Sequence, residues 1–182
     1  AVIKSQVPTG GRGKAGGILV VRTDDEYHDA VHTIANLPIK GFTPRTLLAE
    51  QLLDIDRELY LSIMIDKATA QVSMMANKNG GVEVEDNADD SYWRQTIQDT
   101  ADCNRVGENL AEYFDMPDKA IVLQEIVTSL YRCFIDSDAL LIEINPLVVT
   151  TDGQVMAGDC KMELDDAAVF RHSNWQFESE KS

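Results

Sequence analysis

The chain is short of positive charge, cysteine and long apolar runs, and each shortage closes off a class of protein. Its 182 residues carry 16 lysines and arginines against 31 aspartates and glutamates, a net charge of −15. That field repels nucleic acid and anionic membrane, so neither is expected as the main partner. The three cysteines, Cys103, Cys133 and Cys160, are odd in number and share no metal-type spacing. They read as reduced thiols in a cytosol-like compartment rather than as a disulfide scaffold or zinc site. No apolar run has the length of a membrane-spanning helix, and there are no repeats or low-complexity tracts. What is present is an apolar fraction of 44% and a charged fraction of 26%. That suffices to bury a sizeable core in one domain or two small ones.

The stretch "VPTGGRGKAGGILVV" places five glycines and two cations in positions 10–17. A P-loop does not fit, because Pro8 stands where its first glycine belongs and Ala15 where its hydroxyl belongs. Gly11 to Gly16 does spell G-x-G-x-x-G, but a dinucleotide fingerprint must open a helix. Here a β-branched run, "GILVVR", follows, so the turn is expected to join two strands. A glycine-rich hairpin lets backbone N–H groups approach phosphate oxygens, and Lys4, Arg12 and Lys14 would add charge. The H-R-D and D-F-G partners of a protein kinase are missing. A solvated surface hairpin accounts for the same residues equally well. In the preceding strand, Val2, Lys4 and Gln6 share one face and Ile3 and Ser5 the other. Beginning in mid-strand and ending on the polar "SNWQFESEKS", the chain reads as a fragment of something longer.

Further along, Tyr27, Ala30, Val31 and Ile34 have helical spacing after an N-cap at Thr23 or Asp24. His28 and His32 lie four apart there, with no third ligand nearby, and read as an exposed helical pair. "RTLLAEQLL" is followed by two apolar strands, "ELYLSIMID" and "TAQVSMMAN", split by a turn at Asp66-Lys67. Helical signals are expected to dominate from Tyr92 to Ile135, with Leu123, Ile126, Val127, Leu130, Cys133 and Phe134 as a core-facing stripe. The acidic span Glu83 to Ser91 reads as a solvated loop. Two closing strands, "LLIEINPLVVT" and "QVMAGDCKM", flank the turn "TDG". The order has no βαβ alternation, so the fold class is α+β.

In "LLIEINPL", Glu143 and Asn145 interrupt an apolar strand on one face. A buried carboxylate without a partner costs several kcal/mol, so a cation, a network or a cleft is implied. Asp159 and Lys161 lie two apart on the returning strand. A two-residue turn at Asp152-Gly153 would leave Asp159 on the face opposite Asn145. A three-residue turn with left-handed Gly153 pairs Thr150 with Gln154, Asn145 with Asp159 and Glu143 with Lys161. The second register is preferred because it gives the polar residues one environment. Paired Asn and Asp oxygens suit Mg²⁺ carrying nucleotide phosphates.

Taken together, "VIKSQVPTGGRGKAGG", "AEQLLDIDRELYLSIMID", "GGVEVE" and "LIEINPLVVTTDGQVMAGDCKMELDDAAVFRH" resemble, in that order, the β subunit of succinyl-CoA synthetase (succinate–CoA ligase). The resemblance implies the ATP-grasp fold, two α+β subdomains sandwiching a nucleotide. It implies an ATP-grasp domain over 1–172, with subdomains at about 1–52 and 53–172, and a cut linker at 173–182. Residue by residue, Lys4, Gly11, Arg12 and Gly13 resemble the phosphate-contacting elements. Glu50 through Leu53 resembles the segment holding the base, and Glu58 the acidic residue near the ribose. Asn145 and Asp159 match the Mg²⁺ ligands. Glu143 matches the catalytic residue facing a phosphohistidine loop of the α subunit, so no histidine here takes that role.

The implied substrates are ATP/ADP or GTP/GDP. The implied activity is an acid–thiol ligase of the tricarboxylic acid cycle, cytoplasmic, or in the mitochondrial matrix of a eukaryote. The implied partner is the α subunit. Malate–CoA ligase and the ATP-grasp half of ATP-citrate lyase are alternatives, as is a nucleotide-binding regulatory module without turnover. The family's N-terminal lead-in and C-terminal flavodoxin-like domain have no counterpart in the sequence. Positions 86–102 depart from the family pattern. Alone, the chain is not expected to make succinyl-CoA.

Overall fold

The computed structural model describes residues 1–86 and 91–175, which divide into two compact units, the first 1–55 and the second the described residues from 56 onward. In the first unit, β1 (Val2–Gln6), β2 (Ile18–Val20) and β3 (Thr46–Glu50) form an antiparallel sheet in the order β2-β1-β3. Ile3 and Ser5 are buried by the period-two alternation. Helix α1 (Asp24–Ala35) supplies Ala30 and Ile34, which pack with Ile3 and Val21 into a small core. Thr23 is its N-cap, with Oγ1 accepting from the Glu26 N–H at 3.2 Å. Asp24, Asp25 and Glu26 then place negative charge at the positive end of the helix. Tyr27 lies at the margin of the apolar stripe and is exposed; His28 and His32 are exposed as well.

The second unit is built on a sheet in the order β6 (Trp93–Ile97), β5 (Gln71–Asn77), β4 (Ile55–Asp66), β7 (Ala139–Thr150) and β8 (Val155–Ala157), with β9 (Cys160–Leu164) also paired to β7. Its long members are β4 (Ile55–Asp66) and β7 (Ala139–Thr150); β5 (Gln71–Asn77) is antiparallel to β4. The turn between β4 and β5 takes four residues, Lys67 to Ala70. The Asp66 side chain and carbonyl hold it by accepting from the amides of Ala68 and Ala70 at 2.8 and 2.7 Å. Leu59, Leu61, Ile63, Ile142 and Ile144 face α2 (Asp102–Tyr113) and α3 (Ala120–Asp136), meeting Val106, Leu110, Leu123, Val127 and Phe134 in one core. Strand alternation sends Tyr60, Ser62, Glu143 and Asn145 to the other face.

Three expectations are corrected. Residues Trp93–Ile97 are a strand, β6, antiparallel to β5, and not part of a helical region. Trp93 packs against the core and Ile97 is buried while Arg94 and Thr96 are exposed, a period-two pattern too short to stand out before the helices. Cys133 is exposed at the edge of the α3 stripe, whose buried members are Leu123, Val127, Leu130 and Phe134. Of the acidic span 83–91 expected as a loop, residues 83–86 belong to a 3₁₀ helix, Gly81–Asp86, and positions 87–90 lie outside the described residues.

The strand returning from β7 is split into β8 (Val155–Ala157) and β9 (Cys160–Leu164). The break at Gly158-Asp159 lies opposite Pro146, which has no N–H to give to the ladder. Gly158 still donates to the Pro146 carbonyl at 2.9 Å.

Candidate functional site

In the first unit the glycine-rich segment joins two antiparallel strands and starts no helix. The amides of Ala15, Gly16 and Gly17 are used inside the turn, donating to the carbonyls of Gly11, Gly13 and Arg12 at 3.1, 3.0 and 2.8 Å. Arg12 folds back to donate from Nη1 to the Ser5 carbonyl at 3.0 Å, which ties the turn to β1. Lys40 was not singled out by sequence reasoning. Its Nζ lies 3.5 Å from where a Cβ on Gly11 would stand, adding a cation beside the turn.

Lys4 and Glu50 are brought together on neighbouring strands. β1 and β3 pair Val2 with Glu50 and Lys4 with Leu48, so the two charged residues lie diagonally on one face. Lys4 Nζ reaches Glu50 Oε2 at 2.5 Å, and the lysine side chain is only 13% exposed. The partner carboxylate offsets the cost of holding an ammonium group there. An ammonium has three donors, one of which the Glu50 carboxylate takes. Leu53 follows β3 and is half-buried.

In the second unit the three-residue turn forms. Gly153 has φ +82°; the Thr150 N–H donates to the Gln154 carbonyl at 2.9 Å, and the Thr150 carbonyl accepts from the Gly153 N–H at 2.8 Å. The register continues past the break, with Val149 opposite Val155, Leu147 opposite Ala157, Ile144 opposite Cys160 and Glu143 opposite Lys161. Asn145 therefore stands opposite Asp159. The Asp159 carboxylate accepts from the Cys160 N–H at 3.0 Å, and Lys161 turns to Glu163 at 2.6 Å.

Two contacts here were invisible in the sequence. The Gly81 N–H donates to Asn145 Oδ1 at 2.7 Å, and Asn145 Nδ2 donates to the Gly81 carbonyl at 3.2 Å. The Tyr60 hydroxyl donates to Glu143 Oε2 at 3.3 Å. Glu58 is exposed, and its carbonyl accepts from the Gly80 N–H at 3.0 Å, at the start of the turn that carries Gly81. Glu143, Asn145 and Asp159 are half-buried, reachable by solutes yet held in place.

No cluster of three or more His, Cys, Asp or Glu side chains able to hold a metal occurs among the described residues. One carboxamide and one carboxylate in register do not make a protein cage for a cation. They do fit an ion whose remaining ligands are water and phosphate oxygens, as Mg²⁺ on a nucleotide requires. Among the described residues no helix is long and apolar enough to cross a membrane.

Comparison with known proteins gives the family and the fold. A family model described as the ATP-grasp domain matches residues 1–149. The ADP-forming succinate–CoA ligase β subunit of Herpetosiphon aurantiacus is 39% identical over 94% of this chain and 47% of its own length. The GDP-forming counterpart from Thermus thermophilus is 36% identical, over 94% of this chain and 46% of its own length. The chain thus spans about half the length of the curated relatives it matches. Among solved structures, ATP citrate lyase from Methanothrix soehngenii in complex with citrate and coenzyme A superposes with a TM-score of 0.72 at 24% identity. That match covers 98% of this chain and 42% of the other. PH1788 from Pyrococcus horikoshii gives a TM-score of 0.67 at 15% identity, covering 90% of this chain and 74% of the other. At those identities the likeness is one of fold.

Proposed function

We propose, since this chain belongs to the ATP-grasp family, that it is the nucleotide-binding part of a succinate–CoA ligase β subunit. The observation carrying this reading is the 39% identity over nearly the whole chain to β subunits of that enzyme. The first unit would meet the nucleotide phosphates through Lys4 and the turn at Gly11, Arg12 and Gly13, with Glu50 to Leu53 along the base. The second would contribute Glu58 at the ribose and Asn145 and Asp159 as ligands of Mg²⁺, which when bound supplies charge neutralisation on the phosphates.

The reaction is phosphoryl exchange between the nucleotide and a histidine of the α subunit, within succinyl-CoA + NDP + phosphate ⇌ succinate + CoA + NTP. In the NTP-consuming direction, an imidazole nitrogen uses its lone pair to form the N–P bond. The P–O bond to the β-phosphate breaks, and its electron pair leaves with the NDP oxygen. The second ring N–H of that histidine grows more acidic as the N–P bond forms. Glu143 would accept a hydrogen bond from it and hold the ring in line. Lys4 would stabilise charge on the departing diphosphate. A carboxylate reserved for an imidazole N–H explains why Glu143 interrupts an apolar strand.

Two measurements test the reading. The chain itself is titrated with ADP and GDP, with and without Mg²⁺, which also decides the base. The full-length β chain, assembled with its α subunit, is given ATP or GTP and then succinate, malate or citrate. Transfer of the γ-phosphoryl group to the α subunit and turnover with succinate are the expected results. Nucleotide binding without any such transfer would favour a regulatory module instead.

A further inference from the structure

Tyr60 is a buried phenol between two leucines of β4, 8% exposed. Its neighbours Leu59 and Leu61 face the helices, while Tyr60 lies on the face that carries Glu143 and Asn145. If packing alone were needed, phenylalanine would fill the same space without a buried hydroxyl to satisfy. The hydroxyl is satisfied by Glu143 Oε2 at 3.3 Å, across a sequence separation of 83 residues. The ring is itself held. Tyr92 meets it edge-on, with centroids 5.4 Å apart and planes at 83°. The Tyr92 hydroxyl is anchored in turn to the Val84 carbonyl at 3.1 Å. Burial above all pushes the Tyr60 phenol up to about 12, so it remains a donor throughout the neutral range.

Building on the reading above, in which Glu143 faces the α-subunit imidazole, we propose that Tyr60 is the positioning residue for Glu143. Its hydroxyl occupies one carboxylate oxygen and fixes the rotamer, so that the other oxygen is presented to the imidazole N–H. A half-buried glutamate has several rotamers of similar energy, and a transfer needing in-line geometry loses rate when the orienting group samples the wrong ones. The chain from Val84 through Tyr92 and Tyr60 to Glu143 links the 3₁₀ segment Gly81–Asp86 to the reacting face.

The test uses the full-length β chain in complex with its α subunit and compares Tyr60→Phe, Glu143→Gln and the double variant. The readouts are the single-turnover rate of α-subunit phosphorylation by ATP and the Kd for ADP. Tyr60→Phe keeps the ring and its contact with Tyr92, so folding and ADP affinity should hold within about twofold. Loss of one hydrogen bond to a charged group should slow transfer by about tenfold. In the double variant the loss should be no greater than for Glu143→Gln alone, because the hydroxyl acts through that carboxylate. Three results overturn the inference: unchanged transfer in Tyr60→Phe, equal losses of rate and ADP affinity, or additive losses in the double variant. If Glu143→Gln itself leaves transfer unchanged, the reading of Glu143 fails first and takes the inference with it.

Discussion

Gly81 and Asn145 hold one another by two hydrogen bonds across 64 residues of sequence, at 2.7 and 3.2 Å. Because the Gly81 N–H requires an acceptor, the bond identifies which end of the Asn145 amide is the oxygen. The clamp depends on a residue without a side chain. Gly81 has φ +81°, and a Cβ built there would stand 2.2 Å from Glu58 Oε2.

Gly81→Ala should therefore lower stability by about 1–3 kcal/mol, combining a left-handed alanine with displacement of Glu58. Urea denaturation followed by tryptophan fluorescence would show an earlier midpoint. Asn145→Ala should cost a comparable amount, since it leaves the Gly81 N–H without its acceptor. A midpoint unmoved by either substitution would mean that the clamp carries no energy.

Lys4→Ala should weaken ADP by tenfold or more and leave adenosine nearly untouched. A charge-assisted contact to phosphate is worth about 1.5–3 kcal/mol. The substitution also strands Glu50, whose carboxylate loses the ammonium at 2.5 Å, so a nearby negative charge would add to the repulsion of phosphate. Calorimetric titration with both ligands separates the cases. Equal losses for ADP and adenosine would show that Lys4 supports the base segment through Glu50 and does not meet phosphate.

The parts of the fold legible in the sequence are those fixed by local chemistry. The Thr-Asp-Gly turn allowed two registers, the shared environment of the polar residues selected the bulged one, and period two then carried Glu143 opposite Lys161. The β-branched run after Gly17 marked a strand where a dinucleotide fold would open a helix. What stayed hidden depends on residues far apart. Nothing near Tyr60 announces Glu143, and nothing in "GGVEVE" announces Asn145. Trp93–Ile97 becomes a strand because β5 offers it an edge. Five residues with one strong alternation cannot signal that against the helices that follow. The split at Gly158 required knowing that Pro146 would lie opposite it.

Acid should destabilise the fold through three aspartates held below their usual value of 3.8. Arg105 holds down Asp102, Lys78 holds down Asp115, and the Thr150 hydroxyl holds down Asp152. A folded pKa below the unfolded one gives stabilisation that is fully present above the unfolded value. It is lost as pH falls through the folded value. The urea midpoint should hold from neutral pH to about 5 and fall below about 4. Protonating a chain with net charge −15 also relieves repulsion, which acts in the opposite sense. The diagnostic comparison is therefore with the triple Asn variant of these positions, whose midpoint should fall less steeply on acidification. Parallel curves for the two proteins would remove these aspartates from the account.

Asp159→Asn should separate chemistry from folding. The variant side chain still offers a carbonyl oxygen to the Cys160 N–H, which Asp159 now accepts at 3.0 Å. Stability should consequently stay within about 0.5 kcal/mol, as for a surface substitution with no packing change. What disappears is one negative charge opposite Asn145, the neutral fellow ligand in the proposed reading. Mg²⁺ needs at least one carboxylate of that kind alongside the phosphates. Phosphoryl transfer in the full-length complex should fall by about a hundredfold, the scale seen when one preorganised electrostatic group is removed from a reacting centre. Binding measurements locate the cause independently of turnover. Affinity for ADP in the presence of Mg²⁺ should drop, and affinity in EDTA should stay the same or rise slightly as repulsion of the phosphates is relieved. Should both affinities fall together, Asp159 supports the hairpin rather than a metal-bound nucleotide, and the assignment of Asn145 as its fellow ligand fails with it.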